Sequence, residues 1–263
     1  MNDAKGAADG RTAALRVEGL GVSYGALVAL QGVDWEVHPG EILGIIGPNG
    51  AGKSSCYDAT TNMVRHRGRV LLYGEDVTDV PPHRLADMGL KRAFQQNAFF
   101  GDLSVVDNVI AALQDAHGTN LIASVFAPWR ELSKRQSVHA EATALLERFG
   151  VPRQMHDLKP GNIPYGIQRM LSIALAHGAG ARVLMLDEPA AGLGGDDMRR
   201  LRDLLISLKR DGLALVVVEH HMDLIMSVAD RIVVIDQGRP LAVGTPHAVQ
   251  SDERVLEAYL GRT

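Results

Sequence analysis

Ile45-Ile46-Gly47-Pro48-Asn49-Gly50-Ala51-Gly52-Lys53-Ser54-Ser55 is the stretch on which the reading of this chain turns. Four residues separate Gly47 from Gly52-Lys53-Ser54, and the apolar run Ile42 to Ile46 leads directly into them. A buried strand that feeds a glycine-rich turn and opens a helix is the setting of a phosphate-binding loop. Successive backbone N–H groups in such a turn, backed by the positive end of the helix dipole, converge on phosphate oxygens. Gly47, Gly50 and Gly52 permit backbone angles and a close approach that a Cβ would obstruct. Pro48, Asn49, Ala51 and Ser55 complete the cradle. Lys53 reaches the β- and γ-phosphates, and Ser54 is a Mg²⁺ ligand. From average composition, a chance match in a chain of this length is on the order of one per cent, so an ordinary strand–helix turn is the minor reading. The sequence predicts a nucleoside-phosphate site.

The chain has 263 residues, enough for one large α/β domain or two joined lobes. Hydrophobic residues make up 46% and charged residues 22%, a globular balance. The formal net charge of −4 lacks a wholesale basic footprint, so no nucleic-acid partner is expected. Cys56 is the single cysteine, which excludes an intrachain disulfide and suits a reducing compartment. Its place on the helix after the loop predicts a small buried apolar side chain. No apolar run approaches roughly eighteen residues, and no signal peptide is visible. Membrane association is therefore expected only through a partner. Residues 1–14 read as a flexible N-terminal tail.

Hydrophobic periodicity supplies the remaining elements. Leu15 to Tyr24 reads as a strand, and Val33, Trp35 and Val37 alternate as a half-buried antiparallel one. Arg69 to Tyr73 is a further strand, Pro81-Pro82 opens a short helix ending near Gly89, and Lys91 to Phe94 is a short strand. Ser104 and Asp107 form a capping-box-like start to a helix carrying Val106, Val109, Ile110 and Leu113. His117 to Pro128 breaks the pattern. Ala142, Leu145, Leu146 and Phe149 then mark a second amphipathic helix, stopped by Gly150 and Pro152. Residues 97–177 thus form a mostly helical lobe inserted into a strand-rich one. Val183 to Leu186 and Ala214 to Val218 are apolar on both faces, as strands of a covered parallel sheet are. A helix from Met198 to Leu208 lies between them. Arg231 to Asp236 and Pro240 to Val243 form a hairpin about Gln237-Gly238, and residues 251–260 form a capped terminal helix.

The strand Val183 to Leu186 ends in Asp187-Glu188, and strand C-termini in a parallel sheet face the ligand crevice. Asp187 is placed to help hold Mg²⁺, and Glu188, offset by one residue, to polarise an attacking water. Val218-Glu219-His220 repeats the geometry one strand on. His220 is either a hydrogen-bond donor to a γ-phosphate or a surface group, and adjacent His221 leaves that choice open by pattern alone. Gln95, after the short strand, can touch both Mg²⁺ and the attacking water; the bland alternative is a solvated glutamine.

The order of phosphate loop, Gln95, helical insert, Tyr165-Gly166, Leu186-Asp187-Glu188-Pro189 and Glu219-His220 resembles the ATP-binding subunits of ABC transporters. The resemblance runs from Leu15 to Gly261. In detail it is similar to the larger ATPase subunit of branched-chain amino acid uptake systems, through Arg92-Ala93-Phe94-Gln95, Phe100-Gly101, Gly244-Thr245-Pro246 and Glu257-Ala258-Tyr259-Leu260-Gly261. It implies an α/β P-loop NTPase (RecA-like) core with an antiparallel β subdomain and an inserted α-helical subdomain, spanning 15–263. It implies ATP and Mg²⁺ as ligands, with Glu188, His220 and Gln95 catalytic, and Ser54, Gln95 and Asp187 at the metal. Tyr24 is implied to stack on adenine, although strand packing explains it as well on physical grounds. Tyr165 and Gly166 belong to the signature segment, which in such dimers meets ATP held by the partner's phosphate loop. The implied partners are a second ATPase subunit joined head to tail, two transmembrane permease subunits and, indirectly, a solute-binding protein outside the membrane. The implied location is the cytoplasmic face of the plasma membrane. Phe99 and Phe100 are either lobe core or a grip on the permease.

Two segments depart from the family pattern. Ile163-Pro164-Tyr165-Gly166-Ile167 stands where Leu-Ser-Gly-Gly-Gln is usual, and Ala191-Gly192-Leu193-Gly194 lacks an aspartate. Pro164 has neither hydroxyl nor amide donor. These changes predict that the composite site completed by this chain's signature is the weaker one; a different ATPase subunit as partner would make sense of that, while hetero- and homodimer both stay open. Rival readings are a soluble ABC-type ATPase outside transport, or a nucleotide-binding regulator that hydrolyses weakly. The cargo is not written in the chain: branched-chain amino acids, amides, urea and small organic acids all fit.

Overall fold

The computed structural model describes residues 12–93, 99–116 and 128–260. Gln95, Phe94, the connector 117–127, Gly261 and most of the expected tail lie outside the described residues. Two sheets organise the molecule. Strands β1 (Leu15–Tyr24), β2 (Leu27–Val37), β4 (Arg67–Leu72) and β5 (Glu75–Asp76) form an antiparallel sheet in the order β2-β1-β4-β5. The other is six-stranded, in the order β10-β9-β3-β8-β7-β6. Its strands are β3 (Ile42–Ile46), β6 (Leu90–Ala93), β7 (Val183–Asp187), β8 (Ala214–Val218), β9 (Arg231–Asp236) and β10 (Arg239–Gly244). All are parallel except the edge strand β10, which returns from β9 as a hairpin. This is the expected α/β core beside an antiparallel subdomain.

The central strands alternate between two cores. Ile42, Ile46, Leu184, Leu186, Leu215, Val217, Ile232 and Val234 pack with the helical elements, whereas Leu43, Ile45, Val183, Met185, Val216, Val218, Val233 and Ile235 face the antiparallel sheet. A sheet covered on both faces has no solvated side, which is why these strands read as unbroken apolar runs. Cys56 is buried in the second core, and that burial pushes its thiol up to about 11.

The helices are α1 (Lys53–Thr60), α2 (Pro82–Asp87), α3 (Val105–Ala116), α4 (Pro128–Arg148), α5 (Tyr165–Gly178), α6 (Gly195–Arg210), α7 (Met222–Val228), α8 (Pro246–Gln250) and α9 (Glu253–Leu260). The capping-box-like start of α3 is present: the Ser104 hydroxyl accepts from the Asp107 amide at 3.1 Å and donates to its carboxylate at 2.6 Å. Pro128, read as a break, is instead the first residue of α4, a position where proline's missing N–H and fixed φ cost nothing. The terminal helix starts later than expected. Ser251 closes α8 by donating to the His247 carbonyl, and Asp252 accepts the Arg254 amide at the head of α9. The expected tail is also shorter, because Ala13 and Ala14 are buried. The Ala14 amide donates to the Val37 carbonyl at 2.8 Å, and its carbonyl accepts from Tyr73 at 2.9 Å.

Candidate functional site

Register sets the site. Asp187 lies level with Val218, and Val218 with Ile45, so β7, β8 and β3 finish in line. Whatever follows each strand shares one rim. After β3 comes the phosphate loop, packed too tightly for side chains at two points. A Cβ on Gly47 would lie 2.0 Å from the Ile235 carbonyl oxygen; one on Gly52, at φ 105°, would lie 2.6 Å from that of Ala29. The turn Gln237-Gly238 braces the loop from β9: Gly238 donates to the Ala51 carbonyl at 2.9 Å and accepts from the Gln31 amide at 2.7 Å. Lys53 folds back on the loop, its Nζ donating to the Gly47 and Pro48 carbonyls at 2.8 and 3.0 Å. Burial lowers its pKa, while the negative charges of Glu188, Asp187 and Glu219 work in the opposite sense.

The loop forms the floor of an open cleft. Asn49, Gly50, Ala51, Gly52, Lys53, Ser54 and Ser55 line it together with Tyr24, Leu27, Val28, Ala29, Glu188, Gln237 and Gly238. Tyr24 and Leu27 are exposed there, at 48% and 66%, and form an apolar shelf beside the amide-rich floor. A flat apolar group joined to an anionic chain matches that division. The sequence reading singled out Tyr24 but missed Leu27, Val28 and Ala29. It recognised Gln237-Gly238 as a turn without placing it at the cleft, since the sheet order β9-β3 brings it there.

Glu188 lines the adjoining wall, and Asp187 precedes it as the last residue of β7. Burial, then Glu188, Asp58 and Glu219, pushes Asp187 up to about 6 against the pull of Arg92. A cation placed beside these acids would favour the ionised carboxylate, and the Ser54 side chain is exposed at the head of α1. Glu188 has φ 45°, in the left-handed region costly for a non-glycine residue. Its amide is anchored to the Val218 carbonyl at 2.8 Å, and its Oε1 lies 3.2 Å from His220 Nδ1. The structure thus brings Glu188 and His220 together at the edge of the cleft.

Glu219 is the residue the sequence reading left without a role. It is fully buried. Its carboxylate accepts from the amides of Ala190 at 2.8 Å, His220 at 2.7 Å and His221 at 2.9 Å, and lies 3.0 Å from His221 Nδ1. Glu219, His220 and His221 offer ligand atoms within 4.8 Å of one another. With Oε2 already engaged by two amides and a ring nitrogen, this cluster is a hydrogen-bond network that fixes the turn.

Tyr165 and Gly166 do not line this cleft. They open α5, behind Pro164, which supplies no side-chain cap. Tyr165 is 46% exposed, and its hydroxyl accepts from Arg169 at 2.7 Å. Ile167 turns into the core, and Gln168 Nε2 donates to the Ile163 carbonyl at 3.0 Å. Phe99 packs against the core while Phe100 is exposed. Tyr259, on α9, has the Gly47 backbone as a hydrogen-bonding neighbour, and burial pushes its hydroxyl up to about 12. Among the described residues, no helix is long and apolar enough to cross a membrane.

The comparisons with known proteins agree with this arrangement. The profile of the family "ABC transporter" matches residues 30–191, and that of "Branched-chain amino acid ATP-binding cassette transporter" matches 239–263. The chain is 36% identical over 250 residues to the high-affinity branched-chain amino acid transport ATP-binding protein BraF of Pseudomonas aeruginosa, covering 94% of this chain and 97% of that protein. It is 35% identical, with the same coverage, to LivG of Escherichia coli, which bears the same description. A nucleotide-free ATP-binding cassette from an ABC transporter superposes with a TM-score of 0.80 at 26% identity, over 95% of this chain and all (100%) of that one. With the phosphate loop, the paired acids and the strand order in place, the chain belongs to the ABC transporter family as an ATP-hydrolysing, ATP-binding subunit.

Proposed function

We propose that this chain binds and hydrolyses ATP to power import of a small solute, a branched-chain amino acid or a chemically similar compound. The cargo class is supported by the descriptions of BraF and LivG and by the matched C-terminal segment. The observation that carries the reading is the Glu188–His220 pair at 3.2 Å, on the rim of a cleft floored by the phosphate loop. In this reading residues 15–263 form one nucleotide-binding domain with its helical lobe at about 97–177. Tyr24 receives the base, and the amides of Gly47 to Ser55 receive the phosphates. Lys53 leaves the Gly47 and Pro48 carbonyls for the β- and γ-oxygens. Mg²⁺ held by Ser54 and Asp187, with Gln95 beside it, would draw charge from the β- and γ-phosphates. Glu188 takes a proton from the attacking water, and His220 holds both that carboxylate and the γ-phosphate in register.

The second subunit joins head to tail and supplies the opposing signature, so closure needs ATP and hydrolysis reopens the pair. Two permease subunits hold the chain at the cytoplasmic face of the membrane. A groove fits such a contact: Met63, Pro82, Leu85, Ala86, Leu90, Leu175 and Ala176 line it between the ends of α1 and α2, β6 and α5. In the assembled transporter, Glu188→Gln is expected to lower ATP turnover by roughly 10²-fold or more while ATP binding persists. Equal loss of binding and turnover would refute the assignment of Glu188 as base. Turnover by the chain alone matching that of the assembly would refute the unequal pair of sites.

A further inference from the structure

The turn that braces the phosphate loop holds a residue under backbone strain. β9 and β10 pair from Asp236 to Arg239, so Gln237-Gly238 is a two-residue hairpin loop. Its φ angles are 48° and 75°, both positive, as a type I′ turn requires. Asparagine or glycine is the ordinary first residue of such a turn, and glutamine takes that φ at a cost. The anchoring is done by its neighbours: Gly238 bonds to Ala51 and Gln31, and Arg239 donates to Gln31 Oε1 at 2.7 Å. Among the described residues, the exposed Gln237 carboxamide has no hydrogen-bond partner, and Gln237 lines the cleft. The turn also sits at one particular place in that cleft. A Cβ built on Gly238 would lie 2.6 Å from the Ala29 carbonyl oxygen. One on Gly52 would lie 2.6 Å from the same oxygen and 3.6 Å from Gly238 Cα. Shelf strand, turn and phosphate loop therefore meet at one corner, where the apolar shelf gives way to the amide-rich floor.

We propose that Gln237 reads the sugar of the bound nucleotide, its carboxamide hydrogen-bonding the 2′- and 3′-hydroxyls. This rests on the function proposed above, in which Tyr24 receives the base and the amides of Gly47 to Ser55 receive the phosphates. The group that joins a base to its phosphates is the ribose, so the ribose lies over the junction of shelf and floor. A hydroxyl both donates and accepts, and a carboxamide can answer in both senses. Leu27, Val28 and Ala29, which form the shelf beside it, offer a sugar no side-chain hydrogen bond. Glutamine in place of asparagine or glycine then has a reason: the backbone strain is kept because the longer polar side chain is used in recognition.

The test is calorimetric titration of the full-length chain with ADP and with 2′,3′-dideoxy-ADP, which lacks both hydroxyls. The wild type is expected to bind ADP about fivefold more tightly than the dideoxy compound, the yield of one net hydrogen bond. Gln237→Gly fits the turn without strain and is expected to melt no lower than the wild type. Gln237→Ala keeps the strain and removes the carboxamide. Both variants are expected to bind ADP about fivefold more weakly than the wild type and to bind the two nucleotides alike. A purely structural role for Gln237 would weaken both nucleotides equally. Such an equal loss, unchanged ADP affinity in either variant, or a wild type indifferent to the hydroxyls overturns this inference alone. ADP binding that is absent from the wild type, or indifferent to Lys53→Ala, overturns the nucleotide reading and this inference with it.

Discussion

A carboxyl at the end of a buried strand, with other acids close by, holds its proton to higher pH than usual. Asp187 is that group, raised from 3.8 to about 6 by burial and then by Glu188, Asp58 and Glu219. Between those values the folded chain keeps a proton that the unfolded chain has released. Its contribution to stability is therefore complete below about pH 4 and lost as pH rises through about 6. Under the proposed function, Mg²⁺ bound at Asp187 would reverse the effect by favouring the ionised carboxylate. Nucleotide-free Asp187→Asn is thus expected to melt above the wild type at pH 7.5, with the gap shrinking towards pH 4. Mg·ATP should stabilise the wild type more than the variant. Parallel melting profiles across that range would remove Asp187 from the cation site. Lys53 responds to the same field, its buried ammonium resting on the Gly47 and Pro48 carbonyls.

Glu219 acts at the level of elements, joining the end of β8 to the segment after β7. Its carboxylate accepts the Ala190 amide and those of His220 and His221, tying the segment that carries Glu188 to the turn that carries His220. In Glu219→Gln an amide NH₂ replaces one acceptor and confronts a buried N–H. A loss of about 1–3 kcal/mol is expected in denaturant unfolding, with turnover reduced as the Glu188–His220 spacing relaxes. Stability within a few tenths of the wild type would mean that the turn holds itself. The sequence could reveal Asp187 and Glu188, because an apolar strand ending in acids beside a phosphate loop is a local pattern. It could not reveal what Glu219 does, because its partner amide lies 29 positions earlier in the chain. The brace from Gly238 to Ala51 was hidden for the same reason: a hairpin is legible from its own residues, its neighbours only from sheet order. Pro128 shows the limit of local rules in another way, since proline both breaks helices and begins them.

At the scale of the molecule, the proposed function gives nucleotide and permease different surfaces, with coupling between them carried by shared elements. The cleft lies on the rim where β3, β7 and β8 end. The groove lies at the sheet edge formed by β6, against α2 and α5, and shares no lining residue with the cleft. One link crosses between them: Tyr57 of α1 donates from its hydroxyl to the Ala93 carbonyl at 3.0 Å, under the Arg92 guanidinium. Arg92 in turn pairs with Asp58 at 2.9 Å, one residue along α1, the helix that the phosphate loop opens. An apolar groove flanked by helices accepts an amphipathic helix from a partner, and a charge placed within it opposes that contact through desolvation. Ala176 is half-buried there on α5, where arginine keeps a good helix former. Ala176→Arg is therefore expected to abolish co-purification with the permease subunits while the isolated chain binds ATP as tightly as before. Retention of stoichiometric permease by that variant would place the docking face elsewhere, with exposed Phe100 as the next position to substitute.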